Sequence, residues 1–169
     1  MGANIGDTSL FYALKFPESQ IFAVEPNTNI LPKLLKNTNQ FKNIKVINCA
    51  ISNKTEIVKL NFGDSHLGSS LLHRDENNNS IDIQGYSLQD FCKENKINKI
   101  DLLKFDIEGA EERLLENESF IKQNVISLVG EIHDDLTSIP MFEKIEGLNL
   151  KNTSKKILSK SRYIIYGEL

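Results

Sequence analysis

An α/β fold, with a mostly parallel sheet and helices on both faces, is predicted by three observations. Short apolar runs suited to buried parallel strands recur along the chain. Helix-period and strand patterns alternate from residue 8 to residue 51, the order that builds a parallel sheet. A glycine-rich turn, Gly2-Ala3-Asn4-Ile5-Gly6-Asp7, leads directly into the first helical pattern. Its two outer glycines allow close approach of a ligand to bare backbone, and the helix amides would point at that ligand.

The elements follow in order. Helix pattern covers residues 8–16, with Asp7 as N-cap, Leu10, Phe11 and Leu14 as the apolar face, and Pro17 as the stop. Ile21-Phe22-Ala23-Val24 is a buried strand ending on Glu25 and broken by Pro26. Asn27 or Thr28 caps a second helix, with Pro32 in its first turn and Leu31, Leu34 and Leu35 facing the core. Residues 44–51 read as a third strand. Residues 55–62 alternate as a half-exposed strand, and Ile81-Asp82-Ile83 is expected to pair with it, making 55–84 a β insertion at the ligand edge. Within that insertion Gly68-Ser69-Ser70 is either an ordinary turn or a lid, and His66 and His73 are read as solvated. Ser87 caps a helix whose apolar face is Leu88, Phe91 and Cys92. Residues 100–106 form a strand ending on Asp106. The helix over 109–115 carries Glu111 and Glu112 in its first turn, where the helix dipole favours acids, and Glu108 and Glu111 are expected either to cap it through its free amides or to meet substrate. Residues 125–132 form another buried strand, 142–158 are weakly periodic and unassigned, and 163–166 close the chain as a last strand.

The composition narrows the function classes. A chain of 169 residues is expected to form one domain over 1–169 with a real core. A net charge of -3 gives no general attraction to nucleic acid or anionic membrane, so neither is expected as a partner. No apolar run approaches the roughly 20 residues that span a bilayer, and a cytoplasmic location is expected. Cys49 and Cys92 fall on apolar elements and read as reduced core thiols. The lysines at 151, 155, 156 and 160 read as a solvated face.

Three motifs carry the functional reading. The first is the glycine turn, extended through Thr8. The second is Ala23-Val24-Glu25-Pro26-Asn27, in which an acid at a strand tip, about 20 residues past the glycines, suits ribose hydroxyls. The third is Leu103-Lys104-Phe105-Asp106-Ile107-Glu108-Gly109-Ala110-Glu111. Together and in this order they resemble the FkbM family of S-adenosylmethionine-dependent methyltransferases, from Gly2 to about Asp134. The resemblance implies the Rossmann-like class I methyltransferase fold, S-adenosyl-L-methionine as methyl donor, and a hydroxyl acceptor on a sugar, glycan or other small natural product. It implies that Gly2, Asn4 and Gly6, with Ala3, Asp7 and Thr8, wrap the methionine part. It implies that Glu25, beside Pro26, holds the ribose, that Asn48 and Ala50 lie near the adenine, and that Asp106 lies near the methionine end and the acceptor. In the family a complete strand precedes the glycines. Here Met1 stands directly before Gly2, so an N-terminally truncated domain lacking that first strand is expected, with a homodimer as one way to complete the sheet.

Methyl transfer to a hydroxyl needs donor and acceptor held in line and a group to take the hydroxyl proton. His133, just past a strand end, is the best base by intrinsic pKa. Asp106 is the runner-up, and Glu131 or Glu108 would orient either one. Asp106, Glu108, Glu131, His133 and Asp134 could ligate a divalent ion, but their spacing is not tight and no metal is expected. Three other readings compete. An NAD-binding protein is disfavoured because Asn4 stands where the dinucleotide fingerprint has its second glycine. A non-catalytic, truncated methyltransferase-like module would bind a partner or nothing. Nucleic-acid methylation comes third, since no Asn-Pro-Pro-Tyr-like run is present.

Overall fold

The computed structural model describes residues 1–62, 69–70 and 80–169. His66, His73 and Gly68 lie outside the described residues. The chain divides into two compact units, Met1–Ala50 and Ile51–Leu169.

In the first unit, α1 (Asp7–Lys15) follows Gly6, whose φ of 102° lies in the left-handed region. That conformation suits glycine, so Gly6 takes the N-cap position and Asp7 becomes the first helical residue. Asp7 therefore supports the helix through its charge in the first turn and makes no capping hydrogen bond. The buried face of α1 is Ser9 and Ala13, whereas Phe11 and Leu14 are exposed. Small residues four apart let the helix lie close on β1 (Ile21–Val24). The aromatics instead pack on one another, Tyr12 between Phe11 and Phe16, with the Lys15 ammonium 5.5 Å and 5.8 Å from the Phe11 and Phe16 ring centres.

β1 pairs in parallel with β2 (Ile44–Ile47), Ile21 opposite Ile44 and Val24 opposite Ile47. Between them α2 (Leu31–Thr38) buries Leu34 and Thr38 and leaves Leu35 exposed. Asn27 stands ahead of α2 and its Oδ1 accepts from the Asn29 amide, so it stabilises the entry turn rather than the helix N-cap itself. The expected third strand is interrupted after Ile47. Asn48 turns its side chain back to donate to the Glu25 and Pro26 carbonyls, at 2.8 Å and 3.1 Å, and the next strand belongs to another sheet.

The second unit holds two sheets. One runs in the order β3 (Ala50–Ser52), β6 (Ser80–Ser87), β4 (Glu56–Phe62), β5 (Ser69–Ser70). β4 and β6 are antiparallel, Glu56 opposite Gly85 and Leu60 opposite Ile81. Val58 and Leu60 point inward and Ile57 outward. Ser87 ends β6 and caps α3 (Leu88–Glu94), its Oγ accepting from the Asp90 amide, and Leu88, Phe91 and Cys92 are buried as expected. The other sheet runs β7 (Ile100–Phe105), β8 (Val125–His133), β10 (Arg162–Glu168), β9 (Lys151–Ile157). β7 and β8 are parallel, with α4 (Glu111–Leu115) and α5 (Glu118–Asn124) between them in sequence; β10 runs antiparallel to both its neighbours. The weakly periodic stretch resolves into α6 (Phe142–Gly147) and β9, every residue of which is exposed, its lysines included.

Two features hold this unit together. Asn117 donates to the Ser52, Arg113 and Leu114 carbonyls and accepts from the Leu88 amide, tying the ends of β3, α3 and α4. Gly130 lies opposite Phe105 in the parallel pair, and a Cβ there would stand 2.1 Å from the Phe105 ring, which is buried. Gly130→Ala is therefore expected to destabilise the fold by about 1–3 kcal/mol through overpacking. Gly147→Ala, whose Cβ would meet nothing nearer than 3.7 Å, is expected to be neutral or slightly stabilising. Urea unfolding midpoints of the two variants check this. Burial pushes the Cys49 thiol up to about 12 and the Cys92 thiol up to about 11. Both are free and buried, so neither is expected to react with a disulfide reagent at pH 8 until the chain is denatured, when both titrate.

Candidate active site

The candidate side chains of the first unit stand at the carboxyl ends of β1 and β2. The glycine turn places three residues at positive φ, Gly2 at 69°, Asn4 at 49° and Gly6 at 102°. The middle one is not glycine, and it is held in place. The Ala3 amide donates to the Val24 carbonyl at 3.0 Å, and the Asn4 amide donates to Glu25 Oε2 at 2.8 Å. The other oxygen of the same carboxylate, Oε1, accepts from the Asn27 amide at 2.9 Å. Glu25 is thus buried and bridges the turn to the loop that leaves β1. Behind the turn, a Cβ on Gly6 would stand 2.9 Å from Leu34 Cδ1 and 3.1 Å from Thr38 Cγ2, while Asn37 donates to the Ile5 carbonyl. Asn4 Oδ1 is buried and accepts no hydrogen bond from the described residues.

In the second unit the site is built at the carboxyl ends of β7 and β8. Glu131 and His133 are two apart on β8 and so share a face. His133 is buried with 1% of its side chain exposed, and its Nδ1 donates to Glu111 Oε1 at 2.8 Å. Glu111 is itself fully buried at the start of α4. The other ring nitrogen, Nε2, faces three more carboxylates: Glu131 Oε1 at 3.6 Å, Asp106 Oδ1 at 3.9 Å and Glu108 Oε2 at 3.9 Å. Glu108 reaches this position from a left-handed φ of 50°, followed by Gly109 at 96°. Cations stand close by. Lys104 Nζ is 3.6 Å from Asp106 Oδ2, and Arg162, opposite His133 in the β8–β10 register, forks onto Asp135. Burial pulls the His133 imidazole down, while the hydrogen bond to Glu111 and the charges of Glu111, Glu108 and Glu131 push it up; the carboxylates prevail and the net direction is upward.

The model of the methyltransferase FkbM domain matches residues 1–152. The chain belongs to that family. Methyltransferase sdnD of Sordaria araneosa is 26% identical over 147 residues, with 68% of this chain and 57% of that protein covered. The crystal structure of methyltransferase FkbM from Methylobacillus flagellatus KT matches 98% of this chain and 41% of its own, at a TM-score of 0.60 and 15% identity. The N-terminal domain of human METTL16, solved in complex with SAH, matches 99% of this chain and 58% of its own, at a TM-score of 0.55 and 13% identity. These likenesses show the Rossmann-like class I methyltransferase fold, and the chain spans 57% and 41% of the first two relatives.

Within this FkbM chain, the sequence-predicted residues fall into two groups. Ala3, Asn4, Glu25, Pro26 and Asn48 are joined at one end of the β1–β2 pair by the hydrogen bonds just described, the Gly6 amide donates to the Ala3 carbonyl at 2.9 Å, and Gly2 precedes them in the same turn. Asp7 and Thr8 are exposed in the first turn of α1, and Ala50 is buried at the start of β3. Asp106, Glu131 and His133 meet at the end of the β7–β8 pair. The group that holds His133 through a hydrogen bond is neither Glu131 nor Glu108 but Glu111, which the sequence offered either as a helix-capping acid or as a substrate contact. A signal was present: Glu111 shares its helix face with Leu114 and Leu115, so its carboxylate had to be buried and to find a partner. Removing that partner strands a buried imidazole. Glu111→Ala is expected to cost about 3–5 kcal/mol of stability, measured by denaturant unfolding, and Glu111→Gln, which keeps an acceptor oxygen, is expected to cost clearly less.

Proposed function

We propose that this chain is the S-adenosyl-L-methionine-binding part of a methyltransferase that methylates a hydroxyl of a small molecule or glycan. The observation that carries the reading is the Glu25 clamp on the glycine turn. Its carboxylate accepts from the Asn4 and Asn27 amides, which fixes an acid at a strand tip beside the glycine turn, the place that suits ribose hydroxyls in a βαβ nucleotide fold. Asn4 Oδ1, buried without a donor, suits a ligand that brings one, such as the ammonium of a methionine moiety. The donor set of the first unit therefore fits the group that the family implies.

When bound, S-adenosylmethionine supplies a methyl group on a sulfonium that is already a good leaving group. The chain's own work is to hold, align and deprotonate. For a hydroxyl acceptor, His133, Asp106 and Glu131 would be the groups to take the hydroxyl proton. Glu111 fixes the ring through Nδ1 and leaves Nε2 as the basic edge. The net negative charge of the chain favours a small or glycan acceptor over nucleic acid.

Calorimetric titration of S-adenosylhomocysteine into the chain tests the donor site. One saturable site is expected, weakened about ten- to a hundredfold in Glu25→Gln by the loss of charge-assisted hydrogen bonds. Circular dichroism checks that the variant folds. Equal affinity in Glu25→Gln would remove the observation on which the reading rests.

A further inference from the structure

We propose that Asp106, Glu108 and His133, with Glu131 beside them, form a site for one divalent cation that takes carboxylate oxygens and one imidazole nitrogen, with Mn2+ as the representative ion. The inference goes beyond methyl transfer and stands on this cluster alone.

Asp106, Glu108 and His133 each offer one ligand atom, and the three atoms lie within 4.8 Å of one another. Exposed acids often gather without an ion, so the deciding observation is the histidine. Its ring is almost wholly buried, Nδ1 is committed to Glu111, and Nε2 points among three carboxylate oxygens at 3.6–3.9 Å. Those separations are beyond hydrogen-bond reach. They match the spacing of atoms that share an ion: bonds of about 2.1 Å at right angles put neighbouring ligands about 3.0 Å apart and opposite ligands about 4.2 Å apart. Small rotations of the half-exposed Asp106 and Glu108 would close the set.

Two further features agree. An Nδ1–H donated to a carboxylate leaves the lone pair on Nε2, the arrangement by which a neighbouring acid orients a metal-binding histidine. The charges also favour an added cation. Asp106, Glu108, Glu111 and Glu131 surround one imidazole, with Lys104 3.6 Å from Asp106 on its outer oxygen and Arg162 engaged by Asp135. The proposal departs from the expectation from sequence that no metal binds. Asp106, Glu108 and His133 come from two strand ends and the loop after β7, and only the fold brings them together. An ion on Nε2 excludes a proton there, so in the loaded protein His133 is a ligand. A hydroxyl on that ion would lose its proton more readily, to a carboxylate such as Glu131.

The test is titration of Mn2+ into the 169-residue chain without donor or acceptor, followed by electron paramagnetic resonance of the free ion and by calorimetry. One saturable ion per chain is expected. Asp106→Asn and Glu108→Gln, at side chains 39% and 35% exposed and therefore tolerant of change, should each weaken binding about tenfold or more. Glu112→Gln, a carboxylate bound to Ser138, should leave it unchanged. No saturable Mn2+, Mg2+ or Zn2+ binding by the folded chain overturns the site, as does binding that Asp106→Asn and Glu108→Gln leave intact. A chain that binds S-adenosylhomocysteine but fails to bind a divalent ion removes this site and keeps the proposed function. A chain that binds Mn2+ but fails to bind S-adenosylhomocysteine keeps this site and removes the proposed function.

Discussion

Parallel pairing is the constraint on which both candidate sites depend. Two parallel strands end on the same side, and the loops that leave them begin together. In the first unit this puts Glu25 beside Asn48, and in the second it puts Asp106 beside Glu131 and His133. The antiparallel strands β4, β6, β9 and β10 carry no candidate site residue. They complete sheets, and in β10 they supply Arg162 opposite His133.

At each end, one buried carboxylate organises its neighbours. Glu25 accepts two backbone amides and so fixes a turn that contains a non-glycine residue in the left-handed region. Glu111 accepts the Nδ1 proton and fixes the ring plane of a buried histidine. A buried acid without partners would be costly, and each of these is stabilised by the groups it positions. The two differ in what they hold. Glu25 fixes a backbone turn at the end of β1, whereas the Glu111–His133 pair turns the ring's Nε2 toward three more carboxylates.

Much of this was legible in the sequence where local chemistry decides. The strand runs ending on Glu25 and Asp106, the Ser87 cap, and the apolar face of α3 follow from periodicity and capping alone. Reading failed where tertiary packing overrides pattern. The largest apolar residues of α1 lie outward because small residues lie against β1, a preference no hydrophobic count registers. Residues 44–51 look like one strand, yet the Asn48 side chain prefers the carbonyls of residues 25 and 26 and breaks it. The role of Glu111 needed a contact 22 residues away in sequence, and the gathering of Asp106, Glu108 and His133 needed two strand ends and a loop with Glu108 at left-handed φ at once.

The most direct test of the central claim, that the Glu25 clamp shapes a donor site, is a 1H–15N amide spectrum of the chain titrated with S-adenosylhomocysteine. The account expects the largest shifts at the amides of Asn4, Gly6 and Asn27. Shifts confined to other parts of the chain, or none at saturating ligand, would contradict it.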